Sequence, residues 1–193
     1  MAIVINGSGT VTGISVGGLP DGIVDAGTLA TNSVDSAELI DGAVDAAHLA
    51  SGVGGKVLQV VSADYSTSTS LTGTTYTDTG LSLSITPSAT TSKILVVISQ
   101  QAVGATGSAN NVDGHLQLLR GGTSISDRQR SWRADGIVAQ VGGTVSFTYL
   151  DSPSTTSATT YKTQAKLTDS GSGRTLYLQN SGVSTITLME IGA

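Results

Sequence analysis

The sequence predicts a mainly β chain: a slender repeat stem that trimerises, followed by an antiparallel β-sandwich or jelly-roll knob. Three observations carry this. Ser and Thr supply 53 of the 193 residues and Gly 25, while charged residues are 12% and aromatics 4%. Average soluble proteins carry about twice that share of charge. A surface built from hydroxyls and backbone suits exposed β-structure, and not helices, whose outer faces rely on Glu, Lys and Arg. The second observation is an apolar residue at every fifth position through residues 14–49. The third is a run of short alternating segments after residue 55.

The first segment, residues 1–20, has neither a basic start nor a long apolar stretch, so no signal peptide is expected. Next come decapeptide repeats. Val-Asp recurs at 24–25, 34–35 and 44–45, and Leu at 29, 39 and 49. Beneath them runs the stricter row Ile14, Leu19, Val24, Leu29, Val34, Leu39, Val44 and Leu49. A period of five matches neither a helix, a coiled coil nor a flat strand. It fits an extended piece ending at Val, one helical turn capped by Asp25, Asp35 or Asp45, and a turn at Gly22, Asn32 or Gly42. Ordering ten such residues costs on the order of 1–2 kcal/mol each. Burying one Val and one Leu returns only about 1.5–3 kcal/mol apiece. A lone strand of repeats therefore does not stay folded, whereas several copies bury the row against one another. The simplest such shaft is a parallel homotrimer with this row as its core; the alternative is a disordered acidic linker.

Charge divides the chain. Residues 1–55 hold six acids and no Lys or Arg, while 56–193 hold all nine basic residues and eight acids. The change falls at Gly52-Val53-Gly54-Gly55, read as a hinge. The expected organisation is therefore an attachment segment (1–20), a stem with its Gly hinge (21–55) and a knob (56–193). Within the knob, strands are predicted at 56–62, 70–77, 81–86, 93–103, 115–119, 124–126, 136–141, 144–150, 160–168, 174–179 and 185–191. Alternation is clear in Leu81–Ile85 and Thr144–Tyr149, and the wholly apolar Ile94–Ile98 belongs in the centre of a sheet. At five residues that run is far too short to span a membrane, so no membrane insertion is expected. Turn chemistry separates the strands at Pro87-Ser88, Gly121-Gly122, Gly142-Gly143 and Asn180-Ser181-Gly182.

Several stretches carry a family resemblance. The opening Ile5-Asn6-Gly7-Ser8-Gly9-Thr10 leads to Ile14-Ser15-Val16-Gly17-Gly18-Leu19-Pro20 and the Val-Asp decads. The second half holds Tyr149-Leu150-Asp151-Ser152-Pro153 and Thr187-Leu188-Met189-Glu190-Ile191-Gly192-Ala193. In these the chain resembles short tail-fibre or related virion fibre proteins of marine and cyanobacterial bacteriophages. The resemblance implies a homotrimeric fibre on the virion surface, made in the host cytoplasm. Its N-terminus would attach to another virion protein (a tail adaptor, a nozzle or the capsid), and its knob would meet the host. The large tail-docking domain of many such fibres has no counterpart here, which leaves open a head fibre or capsid decoration.

Enzymatic constellations are sparse, and no enzyme, cofactor or metal site is expected. There is no Cys, and the two histidines, His48 and His115, are far apart. They offer neither a zinc cluster nor a triad. The acids of the knob fall mostly in predicted turns, so no facing pair marks a polysaccharide depolymerase. An acidic chain without a basic patch is not expected to bind nucleic acid. One segment has chemical character: Asp127-Arg128-Gln129-Arg130-Ser131-Trp132-Arg133-Ala134-Asp135, read as a loop between two strands. Arg forks grip carboxylate or phosphate, and Trp stacks on sugars. Arg128, Arg130, Trp132 and Arg133 are thus candidate contacts to a host-surface glycan or lipopolysaccharide. The competing reading packs Trp132 into the knob or the trimer interface and pairs the arginines with Asp127 and Asp135. Gly104–Asp113 and Ser152–Thr159 are read as further apical loops.

Overall fold

In a computed structural model, residues 44, 56–105, 112–134, 141–169 and 173–192 are described. The chain divides into two units, Met1–Gly54 and Gly55–Ala193, and the second is described below. Its strands are β1 (Val57–Tyr65), β2 (Thr69–Leu71), β3 (Thr77–Ile85), β4 (Lys93–Ala105), β5 (Val112–Arg120), β6 (Thr123–Ala134), β7 (Val141–Asp151), β8 (Thr159–Leu167), β9 (Thr175–Leu178) and β10 (Ser184–Ile191). No helix occurs among the described residues.

All pairings are antiparallel. One sheet runs β1-β10-β4-β7, with β9 and β2 continuing beyond β10 and β1 along the upper half of β4; the other runs β3-β8-β5-β6. Setting aside the short β2 and β9 and counting the other eight strands in chain order, the first sheet runs 1-8-3-6 and the second 2-7-4-5, which is the arrangement of a jelly roll. Strand β4 sits in the middle because both its faces are apolar: Ile94, Val96 and Ile98 are buried inside, and Leu95 and Val97 are half-buried outside.

The register also fixes which loops share an end. The chain enters at Val57, opposite Ile191 and close to Lys93. The connections 86–92, 121–122 and 152–158 lie at this end. The ends of β4, β6 and β8 and the starts of β5, β7 and β9 lie at the opposite, far end. Of the stretches expected as apical loops, 152–158 lies at the chain-entrance end, while Gly104-Ala105 and Val112-Asp113 belong to β4 and β5 at the far end.

Two apolar clusters fill the interior. Near the chain-entrance end lie Leu81, Ile94, Val96, Leu118, Ile186 and Leu188 with their neighbours; toward the far end lie Ala102, Val112, Leu116, Leu167, Leu176 and Leu178 with theirs. A buried polar layer links the two sheets here. Gln100 Nε2 donates to Ser184 Oγ at 2.8 Å, Thr163 Oγ1 donates to Gln100 Oε1 at 2.9 Å, and Thr163 and Thr79 share a hydroxyl contact. Buried amides and hydroxyls persist only when paired in this way.

Several expected boundaries shift. The predicted strand 70–77 is interrupted: β2 stops at Leu71, the chain bends past Gly73, and β3 begins at Thr77. Strand β3 starts ahead of the expected Leu81 because a bulge at Gly80, with φ of +88°, absorbs the irregular residues. Gly142-Gly143, expected as a turn, lies within β7. The predicted strand 136–141 lies, except for Val141, outside the described residues. So does the stem row except for Val44, which is exposed, together with His48 and the attachment segment 1–20.

Candidate binding site on strand six

The segment expected as a loop is strand. Asp127–Ala134 continues β6, the edge strand of the second sheet, because it pairs with β5: Gln117 faces Asp127, Gly114 faces Trp132 and Asp113 faces Arg133. The pairing is interrupted at Gln129-Arg130-Ser131, three residues that stand opposite His115 alone. Arg130 takes the left-handed region within this bulge, at φ of +52°, a conformation a branched or long side chain adopts only when its surroundings impose it. Ser131 Oγ donates to the carbonyl of Arg128 across the bulge.

The four candidate residues then diverge. Arg128 faces Leu116 and lies with its guanidinium 5.1 Å from the centre of the Phe147 ring on β7, a cation–π contact across the open side of the sandwich. Trp132 turns inward. Its ring lies against Gly114, with Cε3 2.9 Å from where a Gly114 side chain would begin, and it packs on the far-end apolar cluster. Its Nε1 is buried with no hydrogen-bond partner among the described residues. The packing alternative thus describes Trp132.

Arg130 and Arg133 come together on a shared acid. Asp113, at the start of β5 and largely buried, lies 3.4 Å from Arg130 Nε and 3.9 Å from Arg133 Nε. Its backbone carbonyl accepts from the Thr168 amide at 2.9 Å and from the Thr168 hydroxyl at 3.2 Å, so the acid sits on a fixed stretch of backbone. Asp127 instead accepts from the Tyr76 hydroxyl at 2.8 Å. Lys166 lies over the Tyr76 ring at 4.4 Å, opposite His115 in the sheet. Burial and the nearby Lys166 hold the His115 pKa below its ordinary value. Partial burial and the bond to Asp127 push the Tyr76 phenol up.

Arg130 is two-thirds exposed, so its remaining fork donors face solvent, where they can grip an anionic or hydroxyl-rich ligand. The sequence carried a signal for Asp113 that a strand-by-strand reading misses. Counting back from the two-residue turn Gly121-Gly122 with unbroken pairing places Asp113 opposite Arg130. The bulges at Leu118/Leu119 and Gly114/Leu116 shift that partner to Arg133.

No protein-family model matches the chain, and no curated protein matches it. Among solved structures, it is similar to the VP2 subviral particle of infectious bursal disease virus, at 16% identity and a TM-score of 0.35, over 69% of this chain and 32% of that one. It is also similar to the Gx strain of the same virus, at 16% identity and 0.36 over the same shares. The T13 particle of that virus gives 15% identity and 0.31, over 70% of this chain and 36% of that one. The chain thus spans about a third of these viral chains. At these TM-scores the likenesses carry no inference about what the chain does.

Proposed function

We propose that this chain is a structural fibre subunit on a virion surface, in which residues 21–55 form a trimeric stem and the jelly-roll knob meets the host. One observation carries the reading: the chain enters the sandwich at Val57, and the arginine pair on Asp113 lies near the opposite end. The every-fifth apolar row supports the stem, and the resemblance to phage fibre proteins supports the virion address. The ligand class is an anionic host-surface glycan such as lipopolysaccharide. Three weak sites per fibre, and several fibres per particle, multiply into firm attachment.

Light scattering of the full chain tests the stem; a threefold mass is expected, and a monomer at micromolar concentration overturns it. Binding of the labelled chain to immobilised lipopolysaccharide from marine cyanobacteria tests the site. The double variant Arg130→Ala, Arg133→Ala is expected to lose binding by about tenfold or more, equivalent to about 1.4 kcal/mol, while keeping its mass. Unchanged binding by that variant removes the arginine pair from the reading.

A further inference from the structure

The two outer faces of the sandwich are chemically opposite. On the second sheet, the register lines up Asp78, Gln164, Gln117 and Asp127 in one row across four strands. Gln164 donates to Asp78 at 2.7 Å and Gln117 to Gln164 at 2.8 Å; Lys162 adds an ion pair to Asp78 at 2.9 Å. That face is finished with charges and amides, and suits water.

The first sheet has no equivalent. Its outer row nearest the chain entrance reads Val60, Met189, Leu95 and Leu150, edge to edge across β1, β10, β4 and β7. Beside it lie Val57, Ile191 and, at its rim, the exposed Lys93. Val57, Val60 and Leu150 are each more than half exposed. Moving away from the entrance, the rows change to Ser62, Thr187, Val97 and Thr148, and then to Asp64, Thr185, Ser99 and Ser146. The apolar character is confined to the part of the face adjoining the point where the stem arrives. A contiguous apolar strip on an otherwise hydroxyl-covered sheet marks a surface covered by a partner.

We infer that this strip is the contact between knobs of neighbouring copies in the trimer. The inference rests on the trimeric stem proposed above. The partner is a second copy for a reason of connectivity. Fifty-five residues precede Lys56, and their apolar row needs other copies. Bundling them brings three Val57 residues close to one axis, and with them the apolar end of each sheet. Closed threefold rings use heterologous contacts, in which two different patches meet. The row supplies both: its β1 end (Val57, Val60) on one knob can meet its β7 end (Leu150) on the next.

The chain contains no Cys, so single thiols report the contact directly. Val60→Cys and Leu150→Cys, made separately in the full chain, are compared in maleimide labelling with Gln129→Cys at an exposed position on β6, alongside mass by light scattering. A threefold mass with labelling at both strip positions slowed about tenfold or more against the control, as burial in an assembled contact requires, is the expected result. A threefold mass with labelling as fast as the control overturns the strip while leaving the stem standing. A monomer with protected thiols means that the chain's own N-terminal segment covers the strip, which overturns the second copy as occupant. A monomer with freely labelled thiols overturns both the strip and the trimeric fibre.

Discussion

Tyr161 donates its fully buried hydroxyl to Asp151 Oδ2 at 2.7 Å, and Arg120 Nη1 reaches both oxygens of the same carboxylate at 2.9 Å. Tyr161 and Arg120 belong to the second sheet and Asp151 to the first, so one carboxylate fastens the two layers at the chain-entrance end. Burial pushes the Tyr161 phenol above its ordinary range, which keeps it a donor wherever the protein is folded. Tyr161→Phe removes one hydrogen bond to a charged group and is expected to cost about 1.5–3 kcal/mol in urea unfolding. Asp151→Ala is expected to cost more, because it strands both partners at once. Equal losses for the two variants would mean that Arg120 contributes nothing.

Acid should weaken the knob through Glu190. This β10 carboxylate is fully buried. Burial alone would raise its pKa, but Ser88 donates through its amide at 2.7 Å and its hydroxyl at 2.6 Å, and Gln59 through Nε2 at 2.6 Å. These bonds prevail and hold the group at about 2, below the ordinary 4.5. A depressed folded pKa contributes stability that is complete above the unfolded value and disappears as pH falls from about 4.5 toward 2. Urea midpoints at pH 7 and pH 3 are expected to differ in the native chain, and to differ less in Glu190→Gln.

Among the described glycines, Gly80 is the least open to replacement. Its φ is +88°, and a Cβ there would meet the Tyr65 ring; Cε1 and Cζ of that ring would lie well inside contact distance. Gly80→Ala is expected to lose about 1–3 kcal/mol to backbone conformation, with the steric overlap in addition. Adding Tyr65→Ala should recover the steric part only, so the two substitutions are non-additive in a double-mutant cycle. Simple additivity would show that the ring does not constrain this turn.

Trp132 is expected to report on folding rather than on ligand. As the only tryptophan, half-buried on the far-end core, it should emit at short wavelength and shift to the red as the knob unfolds. Trp132→Ala is expected to cost about 3 kcal/mol, the low end for removing a buried ring of this size. Trp132→Phe should recover much of that and leave lipopolysaccharide binding close to native. Loss of binding in Trp132→Phe with unchanged stability would assign the indole to the ligand instead.

The knob was readable because its signals are local. Alternation in Leu81–Ile85 and Thr144–Tyr149, and the doubly apolar Ile94–Ile98, name the strands and the central one without knowledge of what they pair with. Bulges are not local. Asp127–Ala134 looks like a loop because Gln129, Arg130 and Ser131 break its alternation, and only the partner strand shows that pairing resumes at Trp132. Asp113 was hidden for the same reason, since an acid's partner across a hairpin depends on every bulge between it and the turn. Gly142-Gly143 misled in the opposite direction: paired with Val103 and Ala102, those residues are held straight by β4 despite their own freedom to turn.

The irregular pairing has a consequence for crowding. Outermost strands expose unpaired amides and carbonyls onto which another molecule's strand can add, which seeds aggregation. Here β1 is broken at Leu58, β3 between Asp78 and Ser82, and β6 at Gln129–Ser131. Each break twists the exposed ladder out of line with any incoming copy. Among the margins, β7 and the three-residue β2 run without a slip against their neighbours. A polypeptide this rich in Ser and Thr and this poor in charge lacks the electrostatic repulsion that normally keeps sheets apart, and kinked margins supply that protection through geometry.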